Sequence, residues 1–200
     1  MWSVYQLKVH FQDILRPIAS ALATRGVTAN HVTCFALYTS ILYGLVLCFD
    51  YRAFWIGLPV FLVFRMALNA IDGIMAREYG MKSHLGMALN EIGDVLSDVA
   101  LFIPFLFFAP HAAWVVAFFI YMAALNEMCG VVGYMMSGKR RYDGPMGKSD
   151  RALATGLLGF LIGLGVVSGK GIGAVFFLLS LLVIWSSINR IRGAIKDGQE

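Results

Sequence analysis

Residues 54–71 read FWIGLPVFLVFRMALNAI, and Arg65 is the only charged residue in this stretch. A helix needs about 20 predominantly apolar residues to cross a bilayer, so the stretch predicts a membrane-spanning helix. Two polar residues, Asn69 within the stretch and Asp72 directly after it, are three positions apart. The same segment therefore predicts a lipid environment for the fold and a polar site at one end of a helix.

Further apolar windows lie on both sides of this stretch, and hydrophobic residues make up 59% of the chain while charged residues make up 14%. This composition leaves too little polar surface to cover a soluble domain of 200 residues. We expect an all-α integral membrane protein with six transmembrane helices in a single domain, residues 1–200. The predicted windows are 31–49, 54–71, 85–109, 112–137, 152–169 and 171–189.

The segment before the first window has apolar residues at helical spacing between polar ones. It predicts an amphipathic surface helix within residues 1–29, bent at Pro17, followed by the six spans within 30–190 and a cytoplasmic tail at 191–200. A secretory signal is not expected, because no apolar region and small-residue cleavage site follow a basic start. The apolar positions are Val4, Leu7, Phe11, Ile14, Leu15, Ile18 and Leu22.

Lys and Arg are distributed unevenly between the two predicted faces of the membrane. Thirteen of the 16 lie in the terminal segments and in two polar loops that share one face, whereas the other face has only Arg52 and Lys170. Because positive residues are retained on the cytoplasmic side, we expect the termini and these loops to face the cytoplasm, in a bacterial inner membrane. Topology and anionic headgroups explain the positive charge, and we expect no nucleic-acid partner.

Polar residues recur along one face of two of the predicted helices. Asn69 and Asp72 lie one turn apart, and residues 86, 90, 94 and 98 are Gly, Asn, Asp and Asp at four-residue intervals. Two such faces opposite each other would bring oxygen ligands together, which suits Mg²⁺ or Mn²⁺. A pair of buried polar networks that hold the helices together would give the same spacing, so both interpretations stay open.

Residues 69–77 read NAIDGIMAR, and after eight residues 86–94 read GMALNEIGD. Together they resemble the signature of the CDP-alcohol phosphotransferase (CDP-alcohol phosphatidyltransferase) family, D-x2-D-G-x2-A-R-x8-G-x3-D-x3-D, in every spacing. The family's six spans and preceding amphipathic helix also match the expected architecture, and within the family the chain resembles phosphatidylglycerophosphate synthases. The long discontinuous signature is far more specific than a lone glycine motif.

The resemblance implies transfer of a phosphatidyl group from CDP-diacylglycerol to an alcohol acceptor, glycerol 3-phosphate or another polyol phosphate, with release of CMP. It implies a homodimer in the lipid bilayer and a divalent metal, Mg²⁺ or Mn²⁺. Asp94 corresponds to the family's proposed general base. The implied metal positions are Asn69, Asp72, Asn90 and Asp94, and the implied donor-binding positions are Asp72, Gly73, Ala76, Arg77 and Gly86.

Two of the signature's four acidic positions are amides in this chain, Asn69 and Asn90. An amide oxygen can ligate a hard cation but brings no charge, so metal affinity is expected to fall. Glu91 is adjacent, but a one-residue step on a helix turns its side chain about 100° away. The alternative to an active enzyme is therefore a catalytically impaired relative that binds CDP-lipid or anionic headgroups without efficient turnover.

Further charged residues surround the signature. Lys148 and Arg151 follow a Gly-Pro turn at the start of the fifth window. They resemble basic positions with which family members hold the phosphate of a phosphorylated acceptor. Membrane-buried charges usually pair with each other, so we expect ion pairs among Arg65, Asp98 and Glu127.

Overall fold

The computed structural model describes residues 4–138, 140–167 and 169–198. Within these ranges the regular structure is entirely helical, which confirms the all-α prediction. A short 3₁₀ turn, Pro110–Ala112, precedes the sixth helix. The helices are α1 Val4–Thr24, α2 Ala29–Leu47, α3 Arg52–Glu78, α4 His84–Phe102, α5 Pro104–Phe108, α6 Ala113–Ser137, α7 Lys148–Gly163 and α8 Gly169–Asp197.

In the described residues, four helical segments are long and apolar enough to cross a membrane: Ala29–Leu47, Arg52–Glu78, Pro110–Ser137 and Gly171–Asp197. The chain is therefore an integral membrane protein. The other two predicted spans correspond to α4 and α7. The first carries three acidic residues, Glu91, Asp94 and Asp98, and the second is only 16 residues long. Their crossing of the membrane stays a prediction.

Helix α1 packs against α3. Leu15 and Ala19 are buried in an apolar cluster with Ile71 and Met75, while Arg16 Nε lies 3.2 Å from Glu78 Oε1. The helix continues through Pro17, where a bend was predicted. Residues 1–3 of the predicted amphipathic segment lie outside the described residues, and its position on a membrane surface stays a prediction.

The third apolar window divides into two helices. Helix α4 ends at Phe102 and α5 starts at Pro104, because proline has no N–H to donate to the carbonyl four residues earlier. That carbonyl belongs to Ala100, and a Cβ on Gly44 of α2 would lie only 2.2 Å from its oxygen. The glycine thus permits close backbone contact between α2 and α4.

Helix α7 packs against α3 through a face of small residues. A Cβ on Gly159 would lie 2.6 Å from Leu58 Cδ2, and one on Gly163 would lie 2.7 Å from the backbone nitrogen of Ile56. Small residues at these positions let two helix backbones approach closely in a membrane. This contact brings the first turn of α7 alongside the polar end of α3.

An aromatic cluster fills the opposite end of the helix bundle. The ring centroids of Trp55 and Phe105 are 4.9 Å apart, and Phe176 lies 5.2 Å from Phe105 and 5.0 Å from Phe119. Trp55 is near the start of α3, whereas Asp72 is about 25 Å further along its axis at 1.5 Å per residue. The apolar core and the polar signature therefore occupy different levels of the bundle.

Candidate active site

A cavity of about 1040 Å³ opens between the polar ends of the helices. Both halves of the signature line it, together with the first turn of α2, the first turn of α7 and the loop before α7. Every predicted metal and donor position lines this cavity, and so does Lys148, whereas Arg151 is not among its lining residues. The signature residues present are Asn69, Asp72, Gly73, Ala76, Arg77, Gly86, Asn90 and Asp94.

Asp94 is held by side chains from two other helices. Asn69 Nδ2 on α3 donates a 3.1 Å hydrogen bond to Asp94 Oδ1, and the Lys148 ammonium on α7 donates to the same oxygen. Arg65 Nη2 is 3.8 Å from this oxygen and donates a 3.2 Å hydrogen bond to the backbone carbonyl of Asp94. The carboxylate is partly exposed to the cavity, with 19% of its side chain accessible.

Asp72 is fixed by the entry to the first span. Thr33 Oγ1, one turn into α2, donates a 2.9 Å hydrogen bond to Asp72 Oδ2. The start of α2 is itself fixed by a capping box, in which the His31 N–H donates to Thr28 Oγ1 and the Thr28 N–H donates to His31 Nδ1. Asp72 is thereby oriented by a residue outside the signature, which sequence spacing did not identify.

Two signature glycines lie beside polar side chains in the cavity. A Cβ on Gly86 would lie 2.6 Å from Asn30 Oδ1, and one on Gly73 would lie 3.0 Å from Arg77 Nη1. Because neither glycine has a Cβ, Asn30 lies directly against the backbone of α4 and Arg77 against that of α3 at the cavity wall.

Arg151 lies behind the cavity rather than in its wall. Only 1% of its side chain is accessible, and its Nη2 is 2.9 Å from Asp98 Oδ2 and 2.8 Å from Glu127 Oε1. Arg65 Nη1 holds the other oxygen of Asp98 at 2.6 Å. The predicted ion pair between Arg65 and Asp98 is present, whereas Glu127 pairs with Arg151 rather than with Arg65. Arg151 therefore joins the two acids, a role that was not predicted.

Arg140 and Arg190 add positive charge at the cavity wall, and neither is among the acceptor positions expected from the sequence. Arg140 Nη2 is 3.1 Å from Glu127 Oε2, and the same guanidinium pairs with Glu91. Glu91 therefore faces Arg140, consistent with the predicted turn away from Asn90. Arg190 Nη1 donates a 2.6 Å hydrogen bond to the Asn126 carbonyl and is 3.7 Å from Glu127 Oε2.

The loop that carries Arg140 is attached to α8. Gly144 has a φ of +107°, and a Cβ there would lie 2.4 Å from the Ser186 Cα. Ser186 Oγ donates a 2.9 Å hydrogen bond to the Asp143 carbonyl. Burial in this position lowers the pKa of the Arg140 guanidinium from its ordinary value. No short sequence pattern predicts this attachment, because it joins segments more than 40 residues apart.

The oxygen ligands in the cavity are few for the expected divalent metal. Among the described residues, no group of three or more His, Cys, Asp or Glu side chains is arranged to hold a metal ion. Asp72, Asp94 and the amides of Asn69 and Asn90 nevertheless line one cavity. Two carboxylates supplemented by neutral oxygens and by the phosphates of a bound substrate are an ordinary environment for Mg²⁺. The residues therefore fit a divalent ion, with little negative charge to hold it.

The family model described as CDP-alcohol phosphatidyltransferase matches residues 26–187. This match covers most of the chain and includes both halves of the signature. The chain therefore belongs to the CDP-alcohol phosphatidyltransferase family, which confirms the family and the enzyme class expected from the signature.

Relatives with similar sequences are bacterial. Inner membrane protein YnbA of Escherichia coli (strain K12) is 41% identical over 194 residues, which are 96% of this chain and 96% of that protein. A phosphatidylinositol phosphate synthase of Mycobacteroides abscessus is 37% identical over 92 residues, which are 46% of this chain and 41% of that protein. The first relative spans nearly the whole chain, and its name agrees with an integral membrane location.

The fold is shared with phosphatidylinositol phosphate synthase of Mycobacterium tuberculosis. Its crystal structure with CDP-DAG bound has a TM-score of 0.76 at 20% identity, over 91% of this chain and 94% of that one. The complex of that protein with manganese and citrate has a TM-score of 0.75 at 19% identity, over 90% and 88% of the chains. The manganese in this relative agrees with the divalent metal expected for the family.

Proposed function

We propose that the chain transfers a phosphatidyl group from CDP-diacylglycerol to a phosphorylated polyol and releases CMP. The observation that carries the proposal is one cavity that is lined both by Asp72, Arg77 and Asp94 and by three basic side chains. We call these three the basic wall: Lys148 of α7, Arg190 of α8 and Arg140 of the loop before α7. A donor diphosphate and an acceptor phosphate both need cationic or metal partners, and this cavity offers two separate polar walls for them.

The donor is assigned to the wall formed by α3 and α4. Gly73 and Gly86 line this wall, and Arg77 lines the same cavity, where its guanidinium can hold diphosphate oxygens. Ala76 of α3 lines the same cavity. Asp72 and Asp94, with the amide oxygens of Asn69 and Asn90, would hold the divalent metal.

Asp94 is assigned as the general base. Its carboxylate removes the proton from the acceptor hydroxyl as that oxygen attacks the phosphatidyl phosphorus, and the bond from this phosphorus to the CMP oxygen breaks. A bound Mg²⁺ or Mn²⁺ supplies electrostatic stabilisation of the charge on the leaving CMP. Asn69 orients the carboxylate, and Arg65 fixes the backbone carbonyl of Asp94.

The acceptor phosphate is assigned to the basic wall. Lys148 lines the cavity, as do Arg140 and Arg190, and the Nε atoms of both arginines are buried without a hydrogen-bond partner among the described residues. Arg151 supports this wall from behind through Asp98 and Glu127. The names of the phosphatidylinositol phosphate synthases among the relatives favour inositol phosphate over glycerol 3-phosphate as the polyol phosphate.

The alternative of an impaired, lipid-binding relative rests only on Asn69 and Asn90. None of the comparisons favours it, and the two carboxylates that the donor set requires are present in the cavity.

We also propose that α4 with α5 and α7 complete six crossings, that α1 lies on the membrane surface, and that the cavity faces the cytoplasm. Assembly as a homodimer is part of the same proposal.

The test is a CMP-release assay on purified chain in detergent with CDP-diacylglycerol, Mg²⁺ or Mn²⁺ and a panel of acceptors. Inositol phosphate is expected to support release, with glycerol 3-phosphate slower and unphosphorylated inositol inactive. CMP release that does not need an acceptor would contradict the proposed function. Failure of every tested alcohol to support CMP release would contradict it as well.

A further inference from the structure

Asp94 Oδ1 already has hydrogen-bond donors and positively charged groups of the chain itself beside it. It accepts hydrogen bonds from the Lys148 ammonium and from Asn69 Nδ2, and the Arg65 guanidinium lies 3.8 Å away. A carboxylate needs compensation for burial, and these three groups supply it without a metal ion. A metal that binds this oxygen must therefore replace at least one of them.

Lys148 is the partner that can leave most easily. Asn69 is attached to α3 by a short side chain, and Arg65 is held in place by its ion pair with Asp98. The ammonium of Lys148 is on a flexible four-carbon stem, and 26% of its side chain is accessible from the cavity. Its backbone is fixed separately, because Asp150 Oδ2 accepts a hydrogen bond from the N–H of Gly147, the N-cap residue of α7.

The partial positive charge at the start of α7 also disfavours the Lys148 ammonium there. Helix N-termini carry partial positive charge, which disfavours an ammonium at the first helical residue unless an anion is present. Asp150 in the first turn offsets part of this charge, and Asp94 is the anion that the Lys148 ammonium contacts directly. Once a divalent ion neutralises Asp94, the ammonium loses its partner and is repelled by the ion as well.

We propose that Lys148 competes with the divalent cation for Asp94, so that metal binding releases the ammonium into the cavity to hold an anionic group. The inference rests on the proposed function and deepens it by coupling the metal site to the basic wall. Binding of metal and of an anion at that wall should then be mutually favourable, because each stabilises the released position of Lys148.

The test measures Mn²⁺ binding to the purified full chain in detergent by electron paramagnetic resonance, with no substrate present. Lys148→Met removes the competing charge and keeps an unbranched stem, so its apparent Kd for Mn²⁺ is expected to fall by at least about tenfold. Lys148→Arg retains the charge and is expected to bind Mn²⁺ no more tightly than the wild type. Lys82→Met is the matched control, since Lys82 lines the same cavity.

A general effect of removing positive charge would tighten Mn²⁺ binding equally in Lys82→Met and Lys148→Met, and that result would overturn the competition. An unchanged Kd in a folded Lys148→Met variant, with Mn²⁺ still bound, would overturn it while leaving the metal site intact. Absence of Mn²⁺ binding in both the wild type and Lys148→Met would overturn the coupling. The CMP-release assay decides the proposed function independently of all three outcomes.

Discussion

Arg65 Nη1 lies 2.6 Å from Asp98 Oδ1, and this buried ion pair joins α3 to α4 one helical turn beyond Asp94. The same guanidinium donates to the backbone carbonyl of Asp94, while Arg151 of α7 holds the second oxygen of Asp98. One carboxylate therefore connects three helices immediately behind the proposed base. Its role is to fix positions, because neither Asp98 nor Arg65 lines the cavity in the described part of the chain.

Asp98→Ala is expected to destabilise the fold strongly. The substitution leaves Arg65 and Arg151 buried without their shared carboxylate, and breaking a buried pair in this way costs about 3 to 5 kcal/mol. Thermal unfolding in detergent measures the effect. Asp13→Ala is the control, because its pair with Arg16 is about half exposed and is worth about 1 kcal/mol or less. Equal shifts in the two variants would contradict a supporting role for Asp98.

The meeting of the two polar helix faces was predictable from sequence, and their connection to α7 was not. Helical periodicity alone puts Asn69 with Asp72, and Asn90 with Asp94, on common faces, and all four line one cavity. The contact between Lys148 and Asp94 spans 54 residues and depends on how α7 packs against α3. No local sequence pattern predicts how closely α7 approaches α3, although the glycines of α7 permit a close approach.

The division of the third apolar window and the burial of Arg151 have different causes. Hydropathy continues through residues 85–109, so only Pro104 signals that α4 ends at Phe102.

Arg151 and Lys148 are one turn apart on α7, and both follow the same Gly-Pro turn. Sequence spacing could not distinguish them, because burial depends on the carboxylates of α4 and α6 that meet Arg151.

Asp94→Asn is expected to retain CDP-diacylglycerol binding and to lower CMP release by about 10² to 10⁴-fold. The amide preserves the shape of the side chain but cannot accept the acceptor's proton. Single-turnover CMP release and binding of labelled donor separate the two effects. Asp150→Asn removes one negative charge from the α7 side of the same cavity and is expected to lose much less activity. Near-normal release by Asp94→Asn would exclude it as the base.

Lys148→Met and Arg151→Met are expected to have different effects, although both remove one positive charge near the start of α7. Lys148 lines the cavity, so its loss should raise the acceptor KM by about tenfold to a hundredfold with a smaller effect on the donor KM. Arg151 is buried against two carboxylates, so its loss should lower thermal stability instead. Equal changes in both substrates' KM values for Lys148→Met would argue against an acceptor site there.

Gly44→Ala is expected to destabilise the contact between α2 and α4 by about 1 to 3 kcal/mol. Its new Cβ would lie 2.2 Å from the Ala100 carbonyl oxygen, and backbone cannot move aside as a flexible side chain can. Gly93→Ala on α4 is the matched control, because a Cβ there meets no atom within 4 Å. It should be neutral or stabilising by up to about 1 kcal/mol through better helix propensity. The difference in unfolding temperature in detergent decides the prediction.

The amides Asn69 and Asn90 distinguish this chain from the family signature, and Asn69 has a definite structural consequence. Its amide nitrogen donates to Asp94 Oδ1, whereas a carboxylate at position 69 would face Asp94 with like charge. Two carboxylates in contact repel unless a cation or a proton lies between them. Asn69 therefore stabilises the site without metal, and an aspartate there should make the site dependent on metal.

The double variant Asn69→Asp, Asn90→Asp is expected to bind Mg²⁺ or Mn²⁺ about tenfold to a hundredfold more tightly than the wild type. Opposite charges about 4 Å apart attract by about 4 kcal/mol at an effective dielectric of 20, and desolvation of the new carboxylates offsets part of this gain. Calorimetric titration measures the affinity. Thermal unfolding with and without Mn²⁺ should also show a larger metal-induced stabilisation in the double variant. Asn30→Asp adds charge to the same cavity outside the donor set and should have a smaller effect. Unchanged metal affinity in a folded double variant would show that these amides do not occupy ligand positions.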